Sequence, residues 1–183
     1  MKPHLPLLAL LLAGPSFTGM SCAPQKPTVA AAATAYSESS LRTAVFRDVN
    51  VYRAKLGKSP LIRHQGLDRM AQGHSDFLLK NRGRFELSKT GNVSHLGFDG
   101  RAVLAKAKYG IVNLHENVAT GPRGASMARM WAASKAHEPN MRANWAYTGV
   151  GVAVAPDGTI FATQLFGSAP TSHRELRQKF GAW

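Results

Sequence analysis

Apolar residues recur at Leu41, Val45, Val49, Tyr52 and Leu56, with mostly polar residues between them. Gaps of three and four put them on one stripe of a helix over about Ser39–Leu56. Ser39 or Ser40 caps its start and Gly57 ends it. Lys58–His64 reads as extended, because Pro60 disfavours helix in the residue before it. A second helix follows over about Gly66–Asn81, with Leu67, Met70, Ala71, His74, Phe77 and Leu78 inward and Gly83 closing it. Arg84–Gly100 has no period and many turn formers, so it reads as a loop. Next come a short helix over Arg101–Gly110, a segment Ile111–Gly124 that opens as strand and passes into a glycine-rich loop, and a helix over about Ala125–Ala136. The last pattern is the clearest. Val150, Val152 and Val154 alternate with small residues, Pro156-Asp157-Gly158 turns the chain, and Ile160–Phe166 returns as the second arm of a β-hairpin. Helices followed by a hairpin that needs cover define an α+β fold.

The first residues carry a different pattern. Leu5–Gly14 is an apolar run that follows Lys2 and precedes small residues. It is shorter than the ~20 residues that span a bilayer. That layout is a secretory signal, placed at residues 1–22. Cys22 is the only cysteine, so no intrachain disulfide can form. Thr18–Cys22, TGMSC, resembles a lipoprotein box, with Gly19 where leucine is usual and Met20 where a small residue is usual. Two outcomes stay open: Cys22 is lipidated and anchors the chain to a membrane, or cleavage falls later, near Ala31–Ala35. Residues 23–38 read as a flexible tether, 39–168 as the folded domain and 169–183 as a basic tail. The expected location is exported, in the periplasm or outside the cell.

Charge adds a partner class. The net charge is +13. A basic exported chain suits anionic surfaces such as lipid headgroups or cell-wall polymer, and a simply solvated basic surface is the plainer reading of the same charge. Nucleic acid is excluded as a partner, since export removes it and no nucleic-acid motif is present. A monomer is expected.

The chemistry narrows by elimination. His115-Glu116 and His137-Glu138 each begin an H-E-x-x-H motif, but Ala119 and Met141 stand where the second histidine is needed. No G-x-S-x-G elbow and no phosphate-cradling glycine loop appears. His95, Glu116 and His137 remain, all in segments read as loops. Two imidazoles and a carboxylate form a ligand set for zinc with an open position. Loop histidines are as readily hydrogen-bonded or solvated side chains, and spacing alone does not separate these readings. His74, on the inward face of the second helix, reads as a core histidine.

Ordered motifs then point to a family. Asn50, Arg53, Gly57, Pro60 and Leu61 stand as N-x-x-R-x-x-x-G-x-x-P-L. They are followed by Ala71-x-x-His74-Ser75, by SHLGFDG at Ser94–Gly100, by ENVATG at Glu116–Gly121 and by WAASKAH at Trp131–His137. With the hairpin from Thr148 to Gly167, this order resembles the bacterial branch of the CAP superfamily, or SCP-like domains. The resemblance implies an α-β-α sandwich with a central antiparallel sheet covered by helices. It also implies a cleft in which His95 and His137 hold Zn2+ or another divalent metal beside Glu116. Ser134 stands where animal and plant members place a second cleft glutamate. Glu138 follows the last histidine where a basic residue is usual, and His115 precedes the Glu-Asn pair where glycine is common. Ser134, His115 and Glu138 are therefore expected to line the cleft, with Glu138 a candidate replacement carboxylate.

Three functional readings follow. The first is a binding module for a lipidic or anionic envelope component. The second is a metal-assisted hydrolase with Glu116 as catalytic general base. The third is an envelope structural domain with a vestigial cleft. The ligand count favours binding: if Glu116 ligates, no base remains, and if it is the base, the metal has two protein ligands.

Overall fold

The computed structural model describes residues 37–84 and 94–169. The expected signal, Cys22, the basic tail and nearly all of the tether lie outside the described residues. So does the middle of the first long loop.

Helix α1 spans Glu38–Lys55. Its cap is Ser37, one turn before Ser40, whose amide donates to the Ser37 hydroxyl oxygen at 3.2 Å. The expected stripe buries Val45 and Val49, while Leu56 ends up exposed past the helix. Arg53 is buried instead. It donates to the carbonyls of Ser59, Met141 and Ala143 at 2.9, 2.7 and 2.8 Å, and burial lowers its pKa from the usual range. Asn50 clamps the backbone of Leu61 from both sides, donating to its carbonyl and accepting from its amide. The N-x-x-R spacing thus fixes the extended segment that ends in the short strand β1, Ile62–Arg63.

Helix α2, Gln65–Lys80, buries Leu67, Ala71, His74, Ser75 and Leu78. Helix α3, Phe98–Tyr109, starts three residues before its expected position; Gly97, at φ +79°, supplies the left-handed entry. Strand β2, Asn113–Gly121, continues through the segment expected to become a loop. The reason is tertiary: β2 pairs residue for residue with the last strand, from Asn113–Ser168 to Gly121–Ile160. The expected fourth helix is shorter, α4 at Met127–Ala132, and a separate turn of helix, α5, covers Glu138–Arg142. The hairpin forms as expected, β3 at Tyr147–Val154 and β4 at Ile160–Ser168, with Gly158 at φ +85° in its turn.

The sheet order is β1-β3-β4-β2. It is antiparallel except where the two residues of β1 pair parallel to β3. Helices α2 and α3 cover one face through Leu67, Ala71, Ala105, Ile111, Leu114 and Leu165. Helices α1, α4 and α5 cover the other through Val45, Val49, Met127, Trp131, Met141, Val150 and Val152. The α+β sandwich is as expected. Both strand faces are buried, which explains the valine–glycine alternation of β3. Val150 and Val152 face α1, and Gly149 and Gly151 let the backbone of α2 lie against the strand. The free edge of β3 beyond β1 is closed by side chains of α2. Asp68 accepts from the Val150 amide at 2.9 Å, and Gln72 accepts from the Val152 amide at 3.1 Å while donating to its carbonyl at 2.8 Å.

Candidate functional site

Strand β2 is the outer strand of the sheet beside β4. Its alternation sends Glu116 towards the α2–α3 side, as it sends Leu114 and Val118. The Glu116 side chain is 1% exposed and has three cationic or imidazole neighbours. Arg101, in the second turn of α3, donates Nε to Oε2 and Nη2 to Oε1, both at 2.8 Å. This two-pronged pairing matches the guanidinium fork to the carboxylate. His95 approaches from the loop before α3, with Nδ1 at 2.8 Å from Oε1. A carboxylate only accepts, so Nδ1 carries the hydrogen, and in the neutral ring Nε2 holds the lone pair.

His74 stands behind this pair. Its Nε2 lies 2.7 Å from the Ser94 carbonyl, which only accepts, so Nε2 donates there. It is 3.8 Å from Glu116 Oε1. His74 is thus a satisfied core histidine, as expected, and it also pins the residue before His95. Burial lowers its pKa; Glu116 opposes that shift, while Arg101 and His95 add to it. The folded state resists protonation that the unfolded chain accepts near the usual 6.5. Stability should therefore fall as pH drops below that value, by up to about 1.4 kcal/mol per pH unit for this one group. Urea midpoints of His74→Gln should change less than those of the wild type between pH 7.5 and 5.5. Equal slopes would remove His74 as the acid-sensitive group.

His137 comes from the other side of β2, between α4 and α5. Its carbonyl accepts from Asn117 Nδ2 at 3.0 Å. Asn140 donates to Asn117 Oδ1 at 2.9 Å and to the Glu116 carbonyl at 3.4 Å. Trp145 Nε1 closes the chain on the Asn140 carbonyl at 2.7 Å. This network holds the α4–α5 turn against the strand. The half-buried His137 ring has a lowered pKa, first from burial and then from the charge of His95, so the two imidazoles share an electrostatic neighbourhood. Beside His137 runs a pocket of about 200 Å3, lined by Val118, Ala119, Thr120, Met130, Trp131 and Ser134. Thr120 Oγ1 and Trp131 Nε1 are buried there without a hydrogen-bond partner among the described residues. Such groups normally find a partner in protein or water.

The motif-bearing stretches therefore do converge around β2. His95 and Glu116 touch, and His137 and Ser134 border the same strand. His115 and Glu138 do not join them. The strand alternation turns His115 away from Glu116, and its ring packs on Trp145 with centroids 4.8 Å apart. Glu138 accepts from the Tyr52 hydroxyl at 2.7 Å and pairs with Arg142 at 2.9 Å, so its carboxylate ties α1 to α5. In this structure both side chains are engaged away from Glu116. Sequence reasoning missed Arg101. The available signal was a basic residue just after the Asp99-Gly100 pair, and only the fold shows that it meets a carboxylate fifteen residues on.

As metal donors these groups are unequal. His95 Nε2 and the His137 ring suit a divalent ion, which takes neutral imidazole. The Glu116 carboxylate already accepts three hydrogen bonds from Arg101 and His95. It fits as the outer partner that orients a ligating histidine. No group of three or more His, Cys, Asp or Glu among the described residues could hold an ion.

Residues 46–166 match the CAP family, the cysteine-rich secretory protein family, and the chain belongs to it. No curated protein matches the chain. Among solved structures, it is similar to an outer surface protein from Borrelia burgdorferi, at a TM-score of 0.59 and 16% identity over 73% of this chain and 96% of that one. An extracellular SCP-domain protein from Bacillus anthracis gives 0.54 and 24%, covering 72% of this chain and 41% of that one. A cysteine-rich secretory protein from Staphylococcus aureus gives 0.52 and 14%, covering 73% and 40%. These likenesses show the fold. Among the described residues no helix is long and apolar enough to cross a membrane.

Proposed function

We propose that the protein is an exported cell-envelope binding module. Its cleft, built on His95 and His137, takes a lipidic or anionic ligand, with a divalent ion held by those two imidazoles. The observation that carries this reading is the state of Glu116. The carboxylate is 1% exposed and both oxygens are engaged by Arg101 and His95. A general base needs a free oxygen within reach of a water or substrate proton. Both Glu116 oxygens already accept from Arg101 and His95, which supports a role for Glu116 in positioning His95 over one as general base. The mostly apolar pocket beside His137, with hydroxyl and imidazole groups on its wall, supports a ligand that combines an apolar part with a polar end. The extracellular and secretory labels of the similar Bacillus and Staphylococcus structures support export. The apolar Leu5–Gly14 run and a lipidated Cys22 would supply its route and anchor.

Zinc titration calorimetry at neutral pH tests the cleft. The wild type should bind one ion per chain, and His95→Ala and His137→Ala should each abolish that binding, since each removes one of the two proposed ligands. Far-UV circular dichroism should stay unchanged, since His95 is exposed and His137 half-buried. Equal affinity in all three proteins would remove the ion from the proposal and leave a bare cleft.

A further inference from the structure

Among the described residues, eight large apolar side chains are exposed, and four of them lie between positions 96 and 112: Leu96 at 58%, Val103 at 69%, Leu104 at 48% and Val112 at 42%. Two of these are on α3, whose buried side is already accounted for. Phe98, Ala102, Ala105 and Tyr109 pack into the core beneath it. At about 100° per residue, those four positions span one side of the helix, and Val103, Ala107 and Leu104 span an arc about 100° wide on the other. Lys106 falls about 60° beyond one end of that arc and Lys108 about 40° beyond the other. Ala107 and both lysines are exposed. The one carboxylate of the helix, Asp99, falls about 40° beyond the same end as Lys106, but in the first turn, while Lys106 and Lys108 are in the last. Arg101 is committed to Glu116.

An apolar strip with a lysine on each shoulder is the cross-section of a helix that lies in a bilayer interface. The apolar residues enter the acyl boundary and the long basic side chains reach the headgroups. We infer that the outer face of α3, with Leu96 at its entry, docks on an anionic lipid bilayer. Charge complementarity chooses this occupant over a second copy of the chain. Two chains of net charge +13 would bring like-charged, lysine-flanked strips together, whereas an anionic surface neutralises them. The strip is small, so docking by α3 alone is weak and adds to whatever holds the chain near the membrane. Docking would also bring His95, immediately before Leu96, to the bilayer surface. The inference stands on α3 alone and does not depend on what the cleft binds.

The test uses the full chain carrying Cys22→Ser, with a single environment-sensitive nitrobenzoxadiazole label at Val103→Cys, Leu104→Cys or, on α1, Val51→Cys. Vesicles are either phosphatidylglycerol with phosphatidylcholine or phosphatidylcholine alone. On the anionic vesicles, labels at 103 and 104 should shift to the blue and become shielded from an aqueous quencher, while the label at 51 stays in water. The Lys106→Gln/Lys108→Gln variant should partition about thirtyfold more weakly. A label at 103 that stays aqueous on vesicle-bound protein would overturn the inference. Unchanged partition of the lysine variant would do so too. Shielding that depends on protein concentration without vesicles would assign the face to a second copy instead.

Discussion

Gly151→Ala should be among the most damaging small substitutions in the described residues, costing about 3 kcal/mol or more of unfolding free energy. A methyl group there meets the backbone carbon and oxygen of Ala71 and the amide nitrogen of Gln72. A flexible side chain could swing aside, but a helix backbone cannot. The retreat of α2 is blocked further because Asp68 and Gln72 bond the amides of Val150 and Val152 on the same strand. Relieving the clash would therefore break the bonds that close the β3 edge. Gly149 has the same relation to Leu67 and Asp68, and Gly149→Ala should be comparably damaging. Gly73, on the same helix with open space where a β-carbon would stand, supplies the contrast: Gly73→Ala should be neutral or mildly stabilising. Urea denaturation of the three variants would check this, and a Gly151→Ala midpoint near that of the wild type would mean that the two layers can part.

Arg101→Met should cost about 3 kcal/mol, although Arg101 looks from the sequence like one more basic residue on a basic chain. An exposed ion pair is worth far less, about 0–1 kcal/mol. The difference is burial. The Arg101 side chain is 14% exposed and Glu116 1%, so removing the guanidinium leaves a carboxylate out of water with His95 as its main partner. Arg101 also donates to the Leu96 carbonyl at 3.1 Å, so the loop carrying His95 should loosen with it. The paired variant Arg101→Met/Glu116→Gln should regain part of the loss, because the stranded charge is gone. Denaturant midpoints of both single variants and the pair measure this coupling. A loss below about 1 kcal/mol for Arg101→Met would place the pair in the surface class.

These predictions concern residues whose significance differs between sequence and structure. Glu116 was legible as important, and its neighbourhood with His95 was expected from ordered motifs. The rest of its surroundings was not legible: Arg101 and His95 both donate to the carboxylate, and that pairing is the basis for proposing it as a positioning residue. Glu138 and His115 illustrate the same limit. Adjacency to His137 and Glu116 made them candidates, yet a strand turns neighbours to opposite faces, and Tyr52 lies 86 residues before the carboxylate it binds.

The sequence by itself determined the local choices. The stripes of α1 and α2, the hairpin turn at Pro156–Gly158 and the α+β class follow from periodicity and from residues with narrow backbone preferences. Those signals are local, so they are read within a window of a few residues. Tertiary structure decided what depends on partners distant along the chain. The length of β2 came from β4, the edge of β3 was closed by α2, and Arg101 was directed to Glu116. The two histidines came to one strand because layers on opposite faces of the sheet deliver them there. Each outcome rests on a contact between segments that carry no mark of one another until they pack.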